Sequence, residues 1–200
     1  MNHFDNLARE WDKDKMHLER SEAIAATLEA MSPLNPSMKA LEFGAGTGIL
    51  SFMLKDRMAE ITLIDSSSEM IKVCEEKIAY HRAKHMKAIC MDLEHSDPGQ
   101  QYDLIYSQMV LHHVIGIEAT LKKFFTLLNP GGTLAIADLY TEDGSFHGPE
   151  VNVHWGFDPD QLSEMLKLVG FHTSESKNCF VIKRESGKNY PLFLLVAKKK

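Results

Sequence analysis

Between Leu41 and Leu50 the chain reads Leu-Glu-Phe-Gly-Ala-Gly-Thr-Gly-Ile-Leu: an apolar run closing on an acidic residue, glycines at every second place, then the start of an apolar helical pattern. Few folds accommodate such a string. Glycine has no Cβ, so the main chain can turn sharply there and press against a ligand. Exposed N–H groups at the following helix start favour polar or anionic groups. Strand, glycine turn and helix in that order predict a nucleotide-type pocket at the carboxyl end of a first parallel strand. A dinucleotide fingerprint requires Gly-x-Gly-x-x-Gly. Its last position is Ile49 here, and the third glycine comes one residue early, at Gly48.

From residue 38 onward, short apolar runs alternate with helical patterns. They predict strands at 39–43, 61–64, 87–91, 104–107 and 133–139, and helices at 48–58, 68–82, 117–128 and 159–169. Such alternation builds a parallel sheet covered by helices on both faces, with right-handed crossovers. Asn129-Pro130-Gly131-Gly132 ends a helix and starts the next strand. Two β-rich runs, 178–183 and 190–198, flank the turn residues Glu185 to Asn189, a hairpin that adds an antiparallel strand. Ahead of this core, residues 4–31 carry helical spacing, and Ser32-Pro33-Leu34-Asn35-Pro36 breaks it. The expected organisation is an N-terminal helical segment over 1–35 and an α/β domain over 36–200. That domain is a doubly wound, seven-stranded, mostly parallel sheet with a C-terminal antiparallel hairpin strand.

Glutamate before Gly-x-Gly-x-Gly, together with the terminal hairpin, resembles the class I methyltransferases that use S-adenosylmethionine, a Rossmann-like fold (small-molecule, type 11/12-like). The resemblance runs from about residue 38 to the C-terminus. It implies that Gly44, Ala45, Gly46 and Gly48 cradle the cofactor and that Glu42 faces its amino-acid part. Asp65, some 20 residues on at the end of the second strand, suits the ribose hydroxyls. Its other reading is an N-cap, a role Ser66, Ser67 and Ser68 can also fill. Asp92-Leu93 resembles the family's adenine motif, Asp92 accepting the amino hydrogens and the Leu93 N–H meeting a ring nitrogen; a loop carboxylate or cap is the plainer reading. Met70 suits an adenine face or the core. Carried over from the fourth motif, Ser107 and Gln108 lie near the methionine part and the sulfonium. Asp103 is read as a structural residue at the start of that strand.

The reaction implied is methyl transfer to a small-molecule acceptor, leaving S-adenosylhomocysteine. A base is needed where the acceptor must shed a proton, and His112 and His113, just past the fourth strand, are the candidate catalytic residues; a structural role is the alternative. Residues 140–157 form a loop too long for a simple connection. With Asp138 leading into it, His147, His154 and Trp155 are expected to line the acceptor pocket or to pack. The two loop histidines complete no recognised ligand spacing, so no metal is expected. Relatives imply a lid in the N-terminal segment, with Phe4 and Trp11 closing over the ligands or anchoring it by packing.

A net charge of −6 and the lack of a concentrated basic stretch before Lys198-Lys199-Lys200 argue against a nucleic-acid partner. Three scattered cysteines without a Cys-x-x-Cys pair fit a reducing compartment. With no signal-peptide pattern and no apolar run near the roughly 20 residues that span a bilayer, a cytoplasmic monomer or homodimer off the membrane is expected. Two competing functions remain at this level: a nicotinamide-dependent oxidoreductase, and a module that binds S-adenosylmethionine without turnover.

Overall fold

The computed structural model describes residues 3–148 and 151–200, with the side chains of His3, Phe4 and Thr173 left out of the description. The Phe4 side chain, expected in the lid, and Pro149 and Glu150 of the long loop therefore lie outside what the structure describes. Seven strands form one sheet: β1 (Lys39–Phe43), β2 (Glu60–Asp65), β3 (Met86–Cys90), β4 (Tyr102–Gln108), β5 (Leu128–Leu139), β6 (Phe171–Lys183) and β7 (Asn189–Lys199). Their spatial order is β3-β2-β1-β4-β5-β7-β6. Strands β1 to β5 are parallel, and β7 runs antiparallel to both β5 and β6. The strand order reverses between β1 and β4, which opens a crevice at their carboxyl ends.

Side chains alternate between the sheet's faces, so each inner strand feeds two cores. On one face Ala135 and Ala137 of β5 and Leu192, Leu194 and Val196 of β7 pack with Ile24, Leu28, Leu50 and Leu54. These last four come from α1 (Lys15–Met31) and α2 (Ile49–Leu54). On the other, Leu134, Ile136, Phe193 and Leu195 meet Leu121 and Phe124 of α4 (Ile117–Leu127) and Leu162 and Leu166 of α5 (Pro159–Val169). The helix α3 (Ser68–His81) runs between β2 and β3. No helix among the described residues is long and apolar enough to cross a membrane.

The ends of the elements follow their capping residues. Asp14 caps α1 through the Met16 N–H, so helix starts only at Lys15; residues before it form two short 3-10 turns rather than the continuous helix expected over 4–31. Ser67, not Asp65, caps α3. Pro159 in the first turn and Gly170 after the last residue bound α5 where expected. The helix expected over 48–58 is α only to Leu54 and tightens to 3-10 over Lys55–Arg57. Strand β6 begins well before the expected 178. Its stretch His172 to Lys177 is too polar to read as a buried strand, but at the sheet edge pairing with β7 supplies its hydrogen bonds.

Candidate active site

The glycine turn passes over the carboxyl ends of β1 and β2. Gly44 and Gly46 have φ of +65° and +55°, and Gly48 is the N-terminal flank of α2. The two first glycines serve different ends. A Cβ on Gly44 would lie 2.5 Å from Val110, so that turn is closed by protein. A Cβ on Gly46 would meet no described atom within 4 Å, so the space there is open to a ligand. Asp65 clamps the turn: its two carboxylate oxygens accept from the Gly46 N–H (2.7 Å) and the Ser67 N–H (2.8 Å). Burial pushes the Asp65 pKa up, against these bonds.

Beneath the turn, Glu42 is completely buried. Ser51 of α2 donates to Glu42 Oε2 at 2.5 Å, and the Ser51 hydroxyl also meets Tyr106 OH at 2.5 Å. Glu42 Oε1 has no hydrogen-bond partner among the described residues. Burial raises the Glu42 pKa to about 8. On the neighbouring β4, the buried Ser107 hydroxyl is also without a partner, and Gln108 accepts from Ser21 of α1 at 3.1 Å. The next residue, Met109, has φ +57°, an unfavourable backbone for a side-chain-bearing residue and a common mark of functional sites. Arg20 of α1 is buried with its Nε unpartnered; burial lowers its pKa to about 10, while Asp14 and Asp138 pull it up.

Past β4 lies a second polar group. His112 Nδ1 is 2.6 Å from Asp138 Oδ1, and the His112 N–H donates to Asp138 Oδ2 at 3.3 Å. Both residues are buried. His112 Nε2 is 3.0 Å from His147 Nε2, and the His113 ring lies 4.2 Å from that of His112.

The N-terminal turns lie over this crevice's rim. Asp5 accepts from Ser67 (2.6 Å), and Asp12 accepts from Thr47 (2.5 Å) and Lys77 (2.7 Å). Arg9 forks onto Glu76 with two 2.8 Å bonds.

A family model described as a methyltransferase domain matches residues 16–176. The chain belongs to this methyltransferase family. Its cofactor is S-adenosylmethionine, and its fold is that of the class I enzymes. A hybrid PKS-NRPS synthetase, lepA, of Aspergillus flavus is 31% identical over 76% of this chain, which covers 4% of the synthetase. Across the leading curated relatives the chain spans between 4% and 57% of their length. Solved structures share the fold at low identity. A complex between the Haloferax volcanii Trm112 methyltransferase activator and a methyltransferase gives a TM-score of 0.79 at 18% identity, covering 100% of this chain and 99% of that one. The N-methyltransferase NodS of Bradyrhizobium japonicum, solved with S-adenosylhomocysteine, gives 0.73 at 16% identity, covering 95% and 90%.

The residues of this methyltransferase domain fit its cofactor. The open space at Gly46 lies beside Asp65, and the orphaned Glu42 Oε1 is a buried oxygen that, once the carboxyl ionises, suits the cofactor's ammonium. Glu42, the glycines, Ala45, Asp65, Ser107 and Gln108 all gather at the ends of β1, β2 and β4. Met70 is buried in the first turn of α3, and Ser66 is exposed before it. Leu93 is buried, and Asp92 follows β3 at the surface. The Asp92 carboxylate is 55% exposed and engaged by His95 and by the Glu94 N–H, which hold its pKa down. Asp103 is structural as expected, accepting from the Lys39 N–H and Asn129.

In the long loop the structure separates the expected pocket residues. Asp138 stands behind His112 and lines nothing itself. His154 is spent on the main chain: its N–H donates to the His112 carbonyl, and its Nε2 lies 3.0 Å from that of Val114. Trp155 packs over Gly144 and is 59% exposed. Trp11 stacks on His17 at 4.1 Å, a packing anchor. A groove of about 480 Å³ lined by Tyr140, Phe157, Asp158 and Ser176 draws no residue from β1, β2 or β4. Sequence reasoning missed Arg20, Ser21, Ser51 and Tyr106. Of these, a serine inside the apolar run Ile49–Leu54 is a legible signal.

Proposed function

We propose that this domain transfers the methyl group of S-adenosylmethionine to a small-molecule acceptor held against His112, His113 and His147. The observation that carries the reading is the buried Glu42 carboxyl, bonded on one oxygen and unpartnered on the other, below the open turn at Gly46. When bound, the cofactor supplies an already electrophilic methyl. The protein's part is to hold both molecules in line and exclude water, which is worth roughly 7–11 kcal/mol. Glu42 and Ser107 anchor the amino-acid end, and Asp65 and the Gly46 turn fix the ribose. The histidine cluster binds the acceptor's oxygen, nitrogen, carbon or sulfur centre.

Residues 1–35 act in this reading as a lid, supported by the Asp5, Arg9 and Asp12 bonds onto the rim. A small acceptor and no nucleic-acid partner fit the −6 charge. Nothing favours the nicotinamide alternative: Ile49 occupies its third glycine position, and the family match lies elsewhere. The test is calorimetry with S-adenosylhomocysteine followed by incubation with methyl-labelled cofactor and a metabolite extract. Saturable binding and a labelled small product are expected. Binding without any labelled product would establish the non-catalytic module instead, and failure to bind would refute both.

A further inference from the structure

We propose that His112, His113 and His147 form a binding site for a divalent transition-metal ion of the zinc class. One ring nitrogen from each lies within 4.8 Å of the others. A tetrahedral ion holding imidazole nitrogens at about 2.0–2.1 Å sets them roughly 3.3 Å apart. The His112 and His147 Nε2 atoms are already 3.0 Å apart, close to that edge. The third nitrogen needs a shift of about 1.5 Å at most to complete the face, and two of the three rings are only half-buried.

The surroundings match a metal site as well as the ligands do. His112 Nδ1 is bonded to Asp138, which leaves Nε2 as the lone-pair side of the ring. A carboxylate behind an imidazole is the arrangement that orients histidine ligands and raises their basicity. Asp138 cannot swing away, since it is fully buried and also accepts from the His112 and Leu139 N–H groups. The Phe146 ring, 4.8 Å from that of His147, adds an apolar wall. Neutral imidazoles suit zinc, iron, nickel and copper rather than calcium or magnesium. Three protein nitrogens leave a fourth position open, the pattern of catalytic rather than closed structural sites. On the methyl-transfer reading, on which this role rests, an acceptor atom takes that position, and His112 serves as a ligand in place of the direct base expected from the sequence.

The probe is Co2+, titrated into tag-free protein stripped of metal and followed by its visible absorption, with Zn2+ as competitor. One Co2+ per chain, displaced by Zn2+, is expected. His113→Ala and His147→Ala should each weaken binding by at least about 10-fold, and Asp138→Asn by about 10–100-fold. His95→Ala, at the exposed Asp92 pair, should leave it unchanged. Thermal unfolding of each variant shows that it is folded. Absence of Co2+ binding, or an unaltered isotherm in folded His147→Ala, would overturn the site. Binding of S-adenosylhomocysteine is measured in parallel: protein that binds it but not Co2+ sinks this inference and leaves the proposed reaction standing.

Discussion

Folding takes the Glu42 carboxyl wholly out of water, and its pKa rises from 4.5 to about 8. Between those values the native state holds a proton that the unfolded chain has released. Stability from this group therefore falls as pH climbs through that window, by up to about 5 kcal/mol at pH 8 and above. Glu42→Gln keeps the shape and the acceptor for Ser51 but cannot ionise. Denaturant unfolding should give similar stabilities for the two proteins near pH 5 and a more stable variant near pH 8.5. Parallel pH profiles would show that Glu42 does not carry the slope. Glu42 and Asp65 were legible in the sequence because each sits at the end of a strand whose own residues announce it. Arg20 and Ser21 were not. They lie in an alanine- and glutamate-rich helix, and what makes them part of the site is contact with Gln108 and the field of Asp138, far along the chain.

Among the elements, the N-terminal turns are held differently from the helices. The helices bury apolar faces in the two cores, whereas the turns rest on Asp5–Ser67, Asp12–Thr47, Asp12–Lys77 and Arg9–Glu76. The Arg9–Glu76 pair is more than half exposed on both sides, and exposed pairs contribute about 0–1 kcal/mol each. The Asp12–Lys77 pair is part-buried, but all of these contacts are polar, so the segment opens at lower cost than a helix packed into either core, as a lid requires. Hydrogen exchange over residues 5–13 should be fast in the free protein and slow by several-fold with S-adenosylhomocysteine bound, while exchange in β4 and β5 stays slow in both. Equal exchange with and without ligand would remove the lid from the account. Helix was expected over most of this segment from its spacing. The Asp14 cap, a local feature, decided where helix starts. The edge strand β6 was half hidden for the opposite reason: its polar first half is specified by the neighbouring β7 and not by its own pattern.

At the scale of the whole molecule, ligand and fold share one free-energy balance. A cofactor that binds only the native state at 100 times its dissociation constant adds about 2.7 kcal/mol. For a chain of this size that raises the melting temperature by about 5–10 °C. Gly46 tests whether that gain comes through the crevice. Its φ is +55° and a Cβ there meets nothing within 4 Å among the described residues, so Gly46→Ala costs backbone strain and no collision. The strain of about 1–2 kcal/mol lowers the melting temperature by about 2–8 °C. Gly187, in the turn between β6 and β7, has φ +83° and equally open surroundings, so Gly187→Ala carries the same kind of strain away from the crevice. Both variants should melt earlier than the wild type. With S-adenosylhomocysteine, Gly187→Ala should regain the full shift, and Gly46→Ala should lose most of it, because its methyl occupies the space the nucleoside needs. Equal shifts in the two variants would move the cofactor away from the glycine turn.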